Sequence, residues 1–518
     1  MHRRTETGVW WAAPHVAGVL ALAPTVLAIF FIIHELTLHD VMGGVTLQQG
    51  GVNFASAVAL SKGQLPYEDF VLTQPPGMSI LLLPFAWVAH SNASGALAAA
   101  RGLTAAVGVA DVFLVAFLAR FHGVASTIIA GVTFAMFPNA FFSTSSVMLE
   151  PYLLFFCLLA LHVAFRDGEL AGGWRLVLAG ALVGFAVAIK PWAIIPAAAL
   201  VVCAAVQWRD ALGRVIGGIV LGIGVPCITF VLASPSAFVR DVLGGELKTG
   251  SSHGATTGIA SRLAELFGLG SPLDIAHPNG LATTVALVLV IVVVIATLTR
   301  ATTASMLDWV LLATAVGLVV VALIPHGLPV DYTYFLAGFG AIVVGNSIGS
   351  LLSVISAISV GAGDMSSAVA GGVTILCVAA MVTIVAVGAP KETDYWRSYF
   401  IRHGSNPAVT VDAFVPAGSC VVSNDPEALI ISNRFTDLPA DCPYLVDPGA
   451  IEKTAPSVAA ADADWEQLLS RAHYVVIAPG RPHLLFSPLL RRFFTRNFSL
   501  IHSANYEIYE STAAPAGT

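Results

Sequence analysis

Residues 51–84 read GVNFASAVALSKGQLPYEDFVLTQPPGMSILLLP, and the way this stretch meets the membrane decides the reading of the whole chain. Its end opens the apolar run PGMSILLLPFAWVAH (76–90). A bilayer core about 30 Å thick needs roughly 20 apolar residues per helix. This run is shorter and carries Pro84, so it reads as a juxtamembrane or re-entrant helix. Counting it as a span would invert the sidedness of everything after it. Basic residues in short loops argue against that, because they collect on the cytoplasmic side. With Arg3 and Arg4 inside, eleven spans place Arg120, Arg166, Arg175, Arg209, Arg214 and Arg300 inside as well.

Those spans fall at about 16–37, 98–119, 124–143, 150–166, 175–190, 192–208, 215–233, 279–299, 306–325, 332–349 and 366–388. The composition demands something of the kind. The chain has 518 residues, 57% of them hydrophobic and 11% charged, where soluble proteins carry about 25% charged residues. A net charge of -7 and the lack of a basic tract interleaved with aromatics argue against nucleic acid as a partner. The first apolar run is too long for a cleavable signal and lacks a small-residue cleavage site.

Of the 55 charged residues, 24 follow Pro390. This step in composition divides a transmembrane part (1–389, first outer loop 38–97) from a soluble part (390–518). In the latter, SCVVSN, YLVD, HYVVIAP and YEIYE have strand character. They alternate with the helical stretches PEALIISNRF, DADWEQLLSRA and PLLRRFFTRNF. The fold class is therefore an all-α polytopic membrane protein with a small extracytoplasmic α/β domain. Four cysteines lie in apolar runs, while Cys420 and Cys442 share the polar tail and are expected to form a disulfide outside the cell. No GxGxxG, GKS/T or GxSxG pattern occurs in the tail, which reads as a recognition or structural cap.

Polar residues suited to chemistry gather in the outer loops. The first holds His34, Glu35, His39, Asp40, Gln48, Gln49, Lys62, Glu68, Asp69 and Gln74. A second carries Ser143 to Ser146 and then Glu150 before Pro151, a third Lys190 before Pro191, and the loop 234–278 adds Arg240, Lys248, His253 and Arg262. Carboxylates and cations on one face suit an anionic lipid donor, with cations on its phosphate and a carboxylate taking the proton of the attacking hydroxyl. Asp111 falls mid-span and must face the bundle interior or be protonated. A hydrogen-bonded structural role is expected for His162. His326, Asp331, Tyr332 and Tyr334 surround one further outer turn.

Four pieces, in this order, resemble the GT-C superfamily of integral membrane glycosyltransferases, which includes the protein O-mannosyltransferases and the lipid A aminoarabinose transferases. They are the stretch 51–84, SSVMLEPYLLFFCLLAL (145–161), GALVGFAVAIKPWAIIPAAAL (180–200), and the tail with CVVSNDPEALIISNR, YLVD, YVVIAPG and YEIY. The likeness covers essentially the whole chain as a pattern of order and spacing. It implies a polyprenyl-phosphate sugar donor, transfer on the extracytoplasmic side, and an acidic base in the first outer loop. Relatives carry an Asp, often followed by Glu, where this chain has Gln49 and Gly50, and an amide accepts no proton at neutral pH. The carboxylates left as catalytic candidates are Asp40, Asp69 and Glu150. Gln74 stands where aminoarabinose-type relatives have a Lys near the donor phosphate. Lys190 and Arg262 are the other expected phosphate ligands, with Gln49, Tyr332 and Tyr334 toward the substrate.

The expected function is transfer of one sugar from a polyprenyl phosphate to an envelope glycan, lipid or protein, by a multi-pass plasma-membrane enzyme with its N-terminus in the cytoplasm. No cofactor is required by this reading, and use of a divalent metal stays open. Two other classes are weighed. A lipid or glycan flippase would show inverted repeats and paired broken spans, and neither is found. A non-catalytic envelope scaffold is what Gln49 would predict.

Overall fold

A computed structural model of the chain describes residues 14–37, 41–137, 139–252, 258–267, 278–300, 302, 304–323, 332–359, 394, 406–478 and 487–512. The expected span 366–388 lies outside them, as do His39, Asp40, His326 and Asp331.

The first 36 residues close with α1 (Pro14–Leu20) and α2 (Leu22–Leu36), one apolar rod. The first outer loop then folds into α3 (Gln48–Ser61), α4 (Gly77–Leu81) and α5 (Leu83–Ala89). The last two cover 76–90 and are five and seven residues long, far below the length of a span at 1.5 Å per residue. Pro84 falls in the first turn of α5, where its missing N–H costs nothing. There follow α6 (Ala93–Leu118), α7 (Val124–Ala135), α8 (Ala140–Thr144), α9 (Leu149–Ala164), α10 (Trp174–Ile189), α11 (Ile194–Gln207) and α12 (Arg209–Ala233). Beyond them lie α13 (Pro235–Ser252), α14 (Ile259–Leu266), α15 (Pro278–Arg300), α16 (Met306–Leu323) and α17 (Tyr332–Ser359).

Among the described residues, six helical segments have the length and hydropathy to cross a membrane, and four apolar helices are shorter. The stretch 124–143, expected as one span, is instead two helices. α7 ends at Ala135, and the chain turns through Phe137 and Asn139 before α8. The sequence has a proline at position 138, and the residue before a proline is disfavoured from helical backbone.

Packing between these helices relies on small residues, as is usual where lipid removes the hydrophobic drive between helices. Gly180 and Gly184 of α10 meet Val215, Gly218 and Ile219 of α12 backbone to backbone, with no room for a Cβ. The central apolar core joins α6, α9, α10, α11, α16 and α17 through Leu118, Leu154, Leu176, Leu200, Leu318 and Phe339.

Connectivity separates two ends of the bundle. At one lie Arg120, the antiparallel pair β1 (Phe165–Arg166) and β2 (Glu169–Leu170), Arg209 and Arg300. Arg300 donates to His122 and Ser350, and His122 Nε2 lies 2.6 Å from Asp308 Oδ1. At the other end lie α3 to α5, Glu150, Lys190, α13 and the start of α17. The expected grouping of arginines is thus a common end of the helices. The C-terminal residues add α18 (Pro407–Phe414), α19 (Pro426–Ile431), α20 (Pro448–Thr454), α21 (Val458–Leu469) and α22 (Pro488–Asn497).

These helices surround a four-stranded mixed sheet of order β3-β4-β6-β5, with β3 (Val421–Ser423), β4 (Tyr474–Ile477), β5 (Phe498–Ser503) and β6 (Glu507–Ser511). β3 runs parallel to β4, and the other pairs are antiparallel. YLVD, expected as a strand, forms no ladder, while FSLIHS does. Side-chain caps start the helices: Asp425 accepts from Glu427 N, Asp447 from Ala450 N and Ser487 from Leu490 N. Trp465, fully buried, centres the core of this unit. A disulfide joins Cys420 to Cys442.

Candidate active site

The site is built where the first outer loop, the turn before α9 and the end of α10 meet. Lys190 caps α10, ahead of Pro191, in extended backbone that turns its side chain out of the helix line. Its Nζ lies 2.5 Å from Glu150 Oε1 and 3.3 Å from the ring centre of Tyr332. Both charged side chains are 2% exposed. Trp192 meets the Tyr332 ring edge-on at 4.8 Å. An ammonium can remain charged in so dry a place only with a counter-ion and a π face against it. Glu150 Oε2, Ser143 Oγ and Ser145 Oγ are buried without a hydrogen-bond partner among the described residues. Orphaned polar atoms around an ion pair mark a place where a ligand's own polar groups can dock.

Two glycines bring the outer loop onto this pair. The Cα of Gly50 lies so close to Ser146 that a Cβ would strike its Oγ. Gly77 abuts Ala188, whose carbonyl oxygen would stand 2.5 Å from a Cβ there, and this sets the segment after Gln74 beside the end of α10. Asn53 of α3 donates to Val147 O at 2.8 Å, fastening α3 to the turn that carries Glu150. Gln49 is exposed in the first turn of α3, next to Gly50.

Behind the site is a second buried ion pair that the sequence reading did not single out. Arg101 Nη2 lies 2.5 Å from Glu427 Oε1, and both side chains are wholly buried. Arg101 also donates to the carbonyls of Val41, Met42 and Gly44. Thr46 N donates to Glu427 Oε2 at 2.6 Å, and Thr46 Oγ1 lies 2.8 Å from Ser146 Oγ. One guanidinium therefore ties α6, the loop 41–46 and α19 together. The available signal was a lone arginine inside an apolar helix, which needs a partner.

The remaining expected residues are dispersed. Asp69 is exposed, and its Oδ2 accepts from Leu65 N at 2.6 Å, closing the turn in YEDF. Tyr67 donates to Gln74 O, and burial pushes its phenol well above the usual tyrosine range. Gln74 is half-buried. Arg262 donates to Leu323 O at the end of α16. Tyr334 donates to Asp111 at 3.0 Å, supplying the interior partner that a mid-span carboxyl requires. Asp40 lies outside the described residues. Among the described residues no three or more His, Cys, Asp or Glu side chains gather as metal ligands. An apolar cavity of about 230 Å³ opens between α7, α14, α15 and α17, lined by Phe137, Leu263, Phe267, Leu289 and Leu336.

This architecture is the GT-C fold of integral membrane glycosyltransferases. ArnT from Cupriavidus metallidurans, in a crystal structure bound to undecaprenyl phosphate, superposes with a TM-score of 0.55 at 14% identity over 96% of this chain and 99% of that one. Its apo form gives 0.51 at 13% identity over the same shares. The Archaeoglobus fulgidus oligosaccharyltransferase gives 0.49 at 12% identity, over 88% of this chain and 69% of that one. No curated protein sequence matches. Residues 72–325, which hold Gln74, Glu150, Lys190 and Arg262, match glycosyltransferase family 87. That match spans 254 of the 518 residues, and the likeness to the solved structures is one of fold.

Proposed function

We propose that the protein transfers one sugar from a polyprenyl phosphate to an envelope glycan, lipid or protein on the extracytoplasmic face of the plasma membrane. The observation that carries this reading is the buried Lys190 ammonium, held by Glu150 and the Tyr332 ring at the loop end of the bundle. The ArnT relative of like fold holds undecaprenyl phosphate, and the apolar cavity beside α14 suits an isoprenoid tail.

The chemistry follows from the pair. A donor phosphate reaching Lys190 takes over the ammonium and releases the Glu150 carboxylate. Glu150 then accepts the proton of the acceptor hydroxyl as its oxygen bonds to the anomeric carbon. The bond from that carbon to the phosphate oxygen breaks, and its electron pair stays on the lipid phosphate beside Lys190. With a β-linked donor, a single in-line attack inverts the anomeric centre. Asp69 closes a local turn and plays no part in the proton transfer.

Membranes containing the chain, supplied with radiolabelled polyprenyl-phosphate sugars, should form a labelled product that membranes lacking it do not. Glu150→Gln should lower kcat by about 10²–10⁴-fold, while Asp69→Asn retains kcat. Full activity in Glu150→Gln with loss in Asp40→Asn would move the base to the first outer loop. The exposed amide of Gln49 favours one other reading, a non-catalytic scaffold, which predicts no labelled product from any donor.

A further inference from the structure

A second concave surface lies away from Lys190, where the YEDF turn faces the C-terminal unit. Asp69 to Val71, Arg240 of α13, the stretch from Pro443 to Pro456, and one stripe of α21 enclose a cleft of about 380 Å³. That volume falls in the range of small-ligand sites, roughly 300–1,000 Å³. Its walls are braced. Thr73 Oγ1 lies 3.2 Å from Asp447 Oδ2, and Arg240 Nε lies 2.6 Å from Asp241 Oδ1. Asp464, Gln467 and Leu468 line one wall from one face of α21, at i, i+3 and i+4, and Arg471 joins them from the turn just past its end. None of the side chains of Asp464, Gln467 and Arg471 has a hydrogen-bond partner among the described residues, so a carboxylate, an amide and a guanidinium are presented together to the cleft.

We infer that this cleft binds the glycan of the acceptor, several sugar units from the hydroxyl that reacts, an inference that rests on the sugar-transfer reading above. Three carboxylates (Asp69, Asp447, Asp464) face two guanidiniums (Arg240, Arg471), so the lining carries no net positive charge to hold a phosphate or an acidic chain. Neutral hydroxyls both donate and accept, and they satisfy carboxylate, amide and guanidinium alike. Leu445, Ile451 and Leu468 offer apolar wall to the C–H faces of a sugar ring. The distance is also suitable. Eight residues separate Asp69 from Gly77, which abuts the end of α10, so the cleft lies within about 28 Å of that contact by contour length.

The test uses the purified full chain in detergent and neutral oligosaccharides released from the cell envelope and fractionated by size, read by saturation-transfer NMR. Longer fractions should bind the wild type, and both Gln467→Ala and the cleft-filling Leu468→Trp should weaken binding by about tenfold, roughly 1.4 kcal/mol, without moving the unfolding temperature. In transfer assays, KM for long acceptors should rise by a similar factor with kcat retained. Intact glycolipid and its delipidated glycan should bind alike if the sugars alone are read. Binding that is absent in the wild type, unchanged in both variants, or stronger for anionic glycans or peptides would overturn the inference. Loss of transfer in Lys190→Met with cleft binding intact would show that the two sites stand or fall separately.

Discussion

Lys190 and Glu150 were legible one by one, as a lysine before a proline and a glutamate before a proline at the ends of apolar runs. Their union was not, because 40 residues separate them and only the antiparallel passage of α9 and α10 brings both ends together. A buried ion pair is weak evidence for stability, but breaking it is costly. Glu150→Gln should therefore lower unfolding free energy by about 3 kcal/mol in detergent, and the double variant Glu150→Gln, Lys190→Met should recover most of that while remaining inactive. If stability returned together with transfer, the pair would be a structural tie and the proposed chemistry would fail. Asp241 offers a pH test outside the spans. It is wholly buried, and burial holds its carboxyl above the usual carboxylate range despite the Arg240 guanidinium. The folded chain then keeps a proton that the unfolded chain releases near pH 3.9. This favours folding at low pH, and the contribution is lost as pH rises through the folded-state value. Asp241→Asn should accordingly flatten the fall in thermal midpoint as pH rises above about 4.

At the scale of elements, the long apolar helices were plain from composition, since a run of about 20 apolar residues admits few alternatives. Short elements were not. YLVD has strand composition, yet Asp447 is drawn off to cap α20 and to meet Thr73, leaving no ladder for the segment. FSLIHS pairs as an edge strand although its polar residues give it little pattern, because β6 supplies the partner. Gly50 shows how such details bear on the site. It replaces a side chain where α3 must touch Ser146, and the neighbouring helix start would not fit otherwise. Gly50→Ala should cost about 1–3 kcal/mol as an overpacked contact and displace α3 from the Glu150 turn, reducing transfer. Ser146→Ala in the same chain removes the clashing oxygen and should restore part of both. Recovery of neither would mean that α3 owes its place to something other than this contact.

Across the whole molecule, the Arg101–Glu427 pair joins residues 326 apart in sequence, so no local pattern could announce it. Its effect is to fix the C-terminal sheet against the same end of the bundle as Lys190. The arginine-rich turns around Arg166 and Arg300 stand at the opposite end, about 27 Å away along the eighteen residues from Tyr332 to Ser350. Basic residues favour the cytoplasm, so the sheet, the cleft and Lys190 should all face outward. Thiol labelling can read this directly. Cys157, Cys203 and Cys227 are buried and Cys420 is bonded to Cys442, so replacing Cys377 leaves a silent background. In that background a membrane-impermeant maleimide should label Ser457→Cys in intact cells, whereas Asp167→Cys, in the exposed turn between β1 and β2, should react only after the membrane is opened. The reverse pattern would put Lys190 in the cytoplasm and remove the extracytoplasmic acceptor on which the proposed function depends.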